Sequence, residues 1–201
     1  ELEAYDAAMT QFDNALHLDG NEKEAYRGKG IVSLETGDYD EAIRYFNQAL
    51  ESSGGKVSGD ETDVLFYRAE AEQKKGDYEA AVNTYGILIE TSARKAEAYD
   101  MRGVCYLKAG DGDKAKEDFD AAIQESKNDY TLYISIYQAL KEAGQEEDGK
   151  SYLNQALLIS DKGKEAHKFR GMIQYLLGEY NSAETEFLAV KSPDMETRRY
   201  L

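Results

Sequence analysis

Cysteine and proline occur once each in this chain, as Cys105 and Pro193, and histidine only twice, as His17 and His167. A single cysteine excludes an intrachain disulfide framework. Its surroundings, "MRGVCYLKAG", read as a helix face, so Cys105 is expected to be a buried structural thiol. The two histidines share no spacing, and no H-E-x-x-H, C-x-x-C or other close ligand cluster is written anywhere, so neither a metal nor a cofactor is expected. No apolar run approaches the roughly 18 residues needed to cross a membrane as a helix. No secretory signal is visible, and the compartment, cytoplasmic or extracytoplasmic, stays open. Basic residues are also scarce: Lys and Arg number 24 against 40 Asp and Glu, for a net charge of −16. Such a chain repels a phosphate backbone, which argues against nucleic acid as a general partner. It leaves cationic peptides and protein partners open, and it is equally consistent with charge that only keeps the chain soluble.

What the sequence has in abundance is repetition. "ETGDYDEAIRYFNQAL", "KKGDYEAAVNTYGIL" and "LLGEYNSAETEFLAV" are near copies of one phrase. Gly37, Gly76, Gly110, Gly144 and Gly178 follow one another at intervals of 39, 34, 34 and 34 residues. The long interval contains "SSGGKVSGDET" at 52–62, which reads as an enlarged loop. A fixed period of this size indicates stacked supersecondary units. Apolar residues recur at spacings of three and four on both sides of each glycine, as in Ala42, Ile43, Phe46, Ala49 and Leu50. Each unit therefore reads as a helical hairpin, with Gly ending the first helix and Asp starting the second.

The columns of these hairpins resemble tetratricopeptide repeats, whose period is 34. An aromatic early in the first helix has counterparts in Tyr26, Tyr99 and Tyr133, with Leu65 and His167 in the same column. The small residue four positions on is Gly30, Ala69, Gly103 and Gly171, but Tyr137 in the fourth complete unit. The alanine of the second helix recurs as Ala8, Ala42, Ala81, Ala115 and Ala183, with Gly149 in the divergent unit. The aromatic after it is Phe12, Phe46, Tyr85, Phe119 and Phe187, with Leu153 as the exception. The resemblance implies an all-α, right-handed superhelical solenoid of antiparallel helix hairpins, a single domain over 1–201. The hairpins fall at about 23–52, 62–91, 96–126, 130–160 and 164–191. Residues 2–18 match only a second helix, whose partner is expected upstream of Glu1, and 194–201 start another helix beyond Pro193. The proline usual after the family's second helix is missing throughout. Tyr137 and the weak turn "GQEEDGK" lead us to expect looser or rotated packing in the unit at 130–163.

No constellation for catalysis emerges. "GGKVSG" lacks the phosphate-loop spacing, Ser53 and Lys56 fit S-x-x-K without companion motifs, and Asp111 and Asp113 lack the later ligands of a calcium loop. The reading is a non-catalytic interaction module or scaffold. The alternative is a repeat segment of a larger protein, such as an enzyme or an exported lipoprotein, whose activity lies elsewhere. Self-association through the solenoid ends is a third possibility. The resemblance places ligands against the first helices. Carried over, it nominates Arg27, Asp63, Phe66, Glu70, Glu97 and Asp100, then Ile134, Lys168 and Tyr175. The columns of the family's carboxylate clamp hold Arg27, Ile31, Tyr67, Glu97 and Met101, with one cation among them, so capture of a chaperone tail is not expected. The acids around Phe66 instead suggest a protein or peptide partner carrying Lys or Arg beside an apolar anchor.

Overall fold

The computed structural model describes residues 2–18, 22–52, 54, 59–161 and 163–190. Eleven helices and no strand occur among them: α1 Leu2–His17, α2 Glu22–Thr36, α3 Tyr39–Ser52, α4 Gly59–Lys75, α5 Tyr78–Thr91, α6 Lys95–Lys108, α7 Gly112–Glu125, α8 Tyr130–Glu142, α9 Glu146–Ala156, α10 Lys164–Leu176 and α11 Tyr180–Ala189. Helix pairs α2–α3, α4–α5, α8–α9 and α10–α11 pack as hairpins, and the fold class is the all-α repeat expected. Two boundaries shift. Helix α4 starts at Gly59, inside the stretch read as loop, and α9 stops at Ala156. The proposed start of a further helix at 194–201, and Pro193 with it, lie outside the described residues.

The turn inside each hairpin follows from two residues. At Gly76 φ is +87°, a left-handed conformation that a Cβ would strain. It lets Gly76 N–H donate to Gln73 O at 3.0 Å and Asp77 N–H to Glu72 O at 2.9 Å, which satisfies two carbonyls at the end of α4. Asp77 Oδ1 then accepts from Ala80 N–H at 3.2 Å and caps α5. The same arrangement recurs at Gly37–Asp38 and Gly110–Asp111. At the last two turns Gln145 and Glu179 take the capping position without a side-chain bond, a weakness that "GQEEDGK" shows at the first of them.

The chain divides into two compact units, residues 1–115 and 116–201. In the first, Leu34, Ala42, Phe46, Ala49, Val64 and Ala71 form one buried cluster. Leu65, Ala69, Ala81, Tyr85, Leu88 and Cys105 form the next. The small-residue column is explained by contact: a Cβ on Gly30 would lie 2.5 Å from the Phe46 ring. In the second unit Gly171 stands in the same relation to Phe187. The divergent hairpin α8–α9 solves the same problem in reverse. Tyr137 is fully buried, and a Cβ on Gly149 would lie 3.0 Å from its ring. The large residue has moved to the first helix and the small one to the second. Within this hairpin, two substitutions that look damaging singly are complementary.

Candidate functional site

The first unit contains a pocket of about 450 Å³ between α4 and α6. Asp63, Phe66, Tyr67, Glu70, Gln73 and Lys74 line it from one face of α4, at the three- and four-residue spacing that a helix aligns. Glu97 and Met101 face it from α6, Tyr85 from α5, and Arg94 from the link between α5 and α6. Phe66, Tyr67, Tyr85 and Met101 give it an apolar lining. Phe66 meets Tyr85 at 6.2 Å between ring centroids with a 59° tilt, and Tyr67 stacks on Phe46 at 5.9 Å. Both rings are therefore braced by the core behind them.

Four of the nominated residues, Asp63, Phe66, Glu70 and Glu97, come together here. Their electrostatics differ from the acidic wall expected. Arg94 lays its guanidinium 4.1 Å from the centre of the Phe66 ring. Its Nη1 donates to Asp63 Oδ1, its Nε to Glu97 Oε2 and its Nη2 to Glu97 Oε1, each at 2.7 Å. The Glu97 bonds, with the added charge of Asp63, raise the Arg94 pKa against the opposing effect of burial. Glu70 pairs with Lys74 at 3.0 Å. Three acids of the wall are thus already bound to cations of this chain.

The remaining nominees separate. Asp100 is 3% exposed and does not line the pocket, so it belongs to the buried side of α6. The spacing from Glu97 suggests a wall position, but α6 turns that carboxylate inward with Ala98 and Cys105. Arg27 sits one hairpin away, 5.9 Å from the centre of the Tyr67 ring, and pairs with Glu24 at 3.6 Å. In the second unit Ile134 is buried and part of the packing rather than an open contact, and Lys168 is half-buried. Tyr175 is exposed, in edge contact with Tyr180 at 5.4 Å. Sequence reasoning missed Arg94 altogether, because it lies between hairpins, outside the wall columns. The available signal was the i, i+3 pairing of Arg94 with Glu97 in "SARKAE".

Reactive groups elsewhere have structural explanations. Cys105 is fully buried, and burial pushes its thiol up to about 12. Glu72 is also buried, and burial raises its carboxyl above the ordinary value, against the opposing bond from Thr84 Oγ1 at 2.6 Å and the charge of Arg68. Arg68 in turn bonds Asn47 at 3.1 Å and Thr84 at 2.8 Å, so the group ties α3, α4 and α5 together. His167 bonds Glu186 at 2.6 Å, and Arg170 Nε reaches the same carboxylate at 3.1 Å, which links α10 to α11. Among the described residues no group of three or more His, Cys, Asp or Glu is placed to hold a metal ion, and no helix is long and apolar enough to cross a membrane.

Comparison with known proteins agrees with the columns. The tetratricopeptide repeat model matches residues 1–56 and 68–130. The DnaJ homolog subfamily C member 3 of Gallus gallus is 25% identical over 170 residues, 80% of this chain and 34% of that protein. The photosystem I assembly protein Ycf3 of Prochlorococcus marinus (strain NATL2A) is 33% identical over 95 residues, 46% of this chain and 54% of that protein. The chain thus spans about a third to a half of the length of these curated relatives. Among solved structures, MamA superposes with a TM-score of 0.60 at 22% identity, over 76% of this chain and 86% of that one. YrrB, described as a TPR protein with an unusual peptide-binding site, gives 0.56 at 21% identity, over 82% of each chain. At these identities the likeness to solved structures establishes the fold alone. From the family model, the repeat columns and the hairpin geometry together, the chain belongs to the tetratricopeptide repeat family.

Proposed function

We propose that this segment is a non-catalytic interaction module that takes a peptide segment of a protein partner in the pocket between α4 and α6. The observation that carries this reading is the pocket itself: a braced aromatic lining flanked by Asp63, Glu70 and Glu97 on the helices that the family uses for ligands. The apolar lining would supply most of the affinity, and the carboxylates would orient a basic side chain and speed its encounter.

A second reading draws on the relatives, of which the chain spans a third to a half. In it, this segment is the binding arm of a longer protein, an exported one included, whose activity lies in other parts. The pocket serves the same purpose in both readings.

The test is a titration of peptides carrying a basic residue beside an apolar one against the wild type, Phe66→Leu and Glu97→Gln. Phe66→Leu keeps an apolar side chain while removing the ring, and Glu97→Gln keeps the shape while removing the charge. Each is expected to weaken binding about ten-fold, the scale of 1–2 kcal/mol for a contact at an interface centre. Affinities that both variants leave unchanged would place the ligand elsewhere. Asp100 is unsuitable for such a test, because charge reversal at a buried position would disturb folding first.

A further inference from the structure

The cation over the pocket comes from the chain itself, and its geometry says what kind of cation the site fits. Arg94 is the residue at the start of α6, where its carbonyl accepts from Ala98 N–H at 3.1 Å and its own N–H donates to Ser92 Oγ at 3.1 Å. Only the side chain crosses to α4. There the guanidinium covers the Phe66 ring at 4.1 Å while three of its N–H groups meet two carboxylates at 2.7 Å. An aromatic face with a carboxylate on either side complements a flat, five-donor fork. A lysine ammonium has no plane to stack and no fork to match Glu97 through two parallel bonds.

We propose that Arg94 is an internal occupant of an arginine-reading site: a partner peptide presents an arginine whose guanidinium replaces that of Arg94 on Phe66, between Asp63 and Glu97. This rests on the reading of the pocket as a peptide site. Two features make the exchange feasible. The side chains of Arg94, Asp63 and Glu97 are 42%, 47% and 45% exposed, so water and a competing cation reach them, and ion pairs this open are weakly held. The backbone of Arg94 is fixed by bonds that do not involve its guanidinium, so the side chain can leave without undoing the start of α6. The neighbouring Tyr67, Tyr85 and Met101 then receive the apolar residue beside the ligand arginine. An internal occupant lowers apparent affinity by the fraction of time the site is closed, and by the same factor for every competing cation, so the preference for arginine comes from the stacked, forked geometry itself.

The experiment uses acetylated, amidated tripeptides X-Arg-X, X-Lys-X and X-Gln-X, with X an equimolar mixture of Leu, Ile, Phe and Met. These are titrated calorimetrically against the wild type, Arg94→Ala and Arg94→Lys, with the Arg94 Nε resonance followed by NMR in the wild type. The arginine pool is expected to bind the wild type best and to shift the Arg94 Nε signal as that side chain is released. Arg94→Ala is expected to bind the arginine pool about ten-fold tighter, and Arg94→Lys to fall between. Weaker or unchanged binding by Arg94→Ala, with its fold intact by thermal unfolding, would overturn the inference. Equal binding of the arginine and lysine pools, abolished by Glu97→Gln, would overturn it while leaving the peptide-site reading standing. No binding of any pool by the wild type or Arg94→Ala would overturn both.

Discussion

Gly30 and Phe46 state the packing rule of this chain at the scale of single residues. The ring of Phe46 is fully buried, and the space it fills exists because Gly30 has no side chain. Gly30→Ala is therefore expected to destabilise the first unit by about 1–3 kcal/mol, as overpacking does, in urea unfolding. Pairing it with Phe46→Leu should recover part of that loss, and strict additivity of the two changes would show that they do not share the site. Tyr85 supplies the complementary case. It is 2% exposed, between the core and the pocket, and Tyr85→Ala should cost about 3–5 kcal/mol. A small change in the unfolding midpoint would contradict its place in the core. Gly30, Phe46 and Tyr85 were legible in the sequence, because steric columns repeat every 34 residues. Arg94 was not, since its partner Asp63 lies 31 residues away and no repeat column predicts that meeting.

Helices are joined here by charge as well as by packing. Glu186 on α11 accepts from Arg170 and bonds His167 on α10. Burial alone would raise its carboxyl, but the bonds from Arg170 and His167 outweigh that and hold it below the ordinary value of 4.5. A carboxyl lowered in the folded state binds its proton more weakly there than in the unfolded chain. Its contribution is therefore present above pH 4.5 and is lost as pH falls through the lowered folded value. Glu186→Gln should be less stable than wild type at pH 7, by about 1 kcal/mol. The difference should shrink as both are titrated downward from pH 4.5. A constant difference over that range would show that the linkage is absent. The hairpins were readable at this scale because turn glycines and capping aspartates are local signals. Which face of α6 would carry Asp100 was not, since a spacing of three from Glu97 cannot separate a wall position from the buried edge of the same helix.

Over the whole molecule the net charge of −16 acts at a distance on any basic partner. Association should slow as salt rises, while dissociation, governed by Phe66 and its neighbours, should change less. The fold class was open to sequence reasoning because repetition multiplies a weak signal several times. The pocket was only half open to it: the helices, the acids and the local pairs Glu70–Lys74 and Arg94–Glu97 are written in the sequence, but the reach of Arg94 across to Asp63, 31 residues away, is not. The most direct test of the central claim is chemical-shift mapping of the isotopically labelled chain with the X-Arg-X pool. The account predicts that the largest amide shifts cluster at Asp63, Phe66, Tyr67, Arg94, Glu97 and Met101. Shifts concentrated in the second unit, or none at saturating peptide, would contradict it.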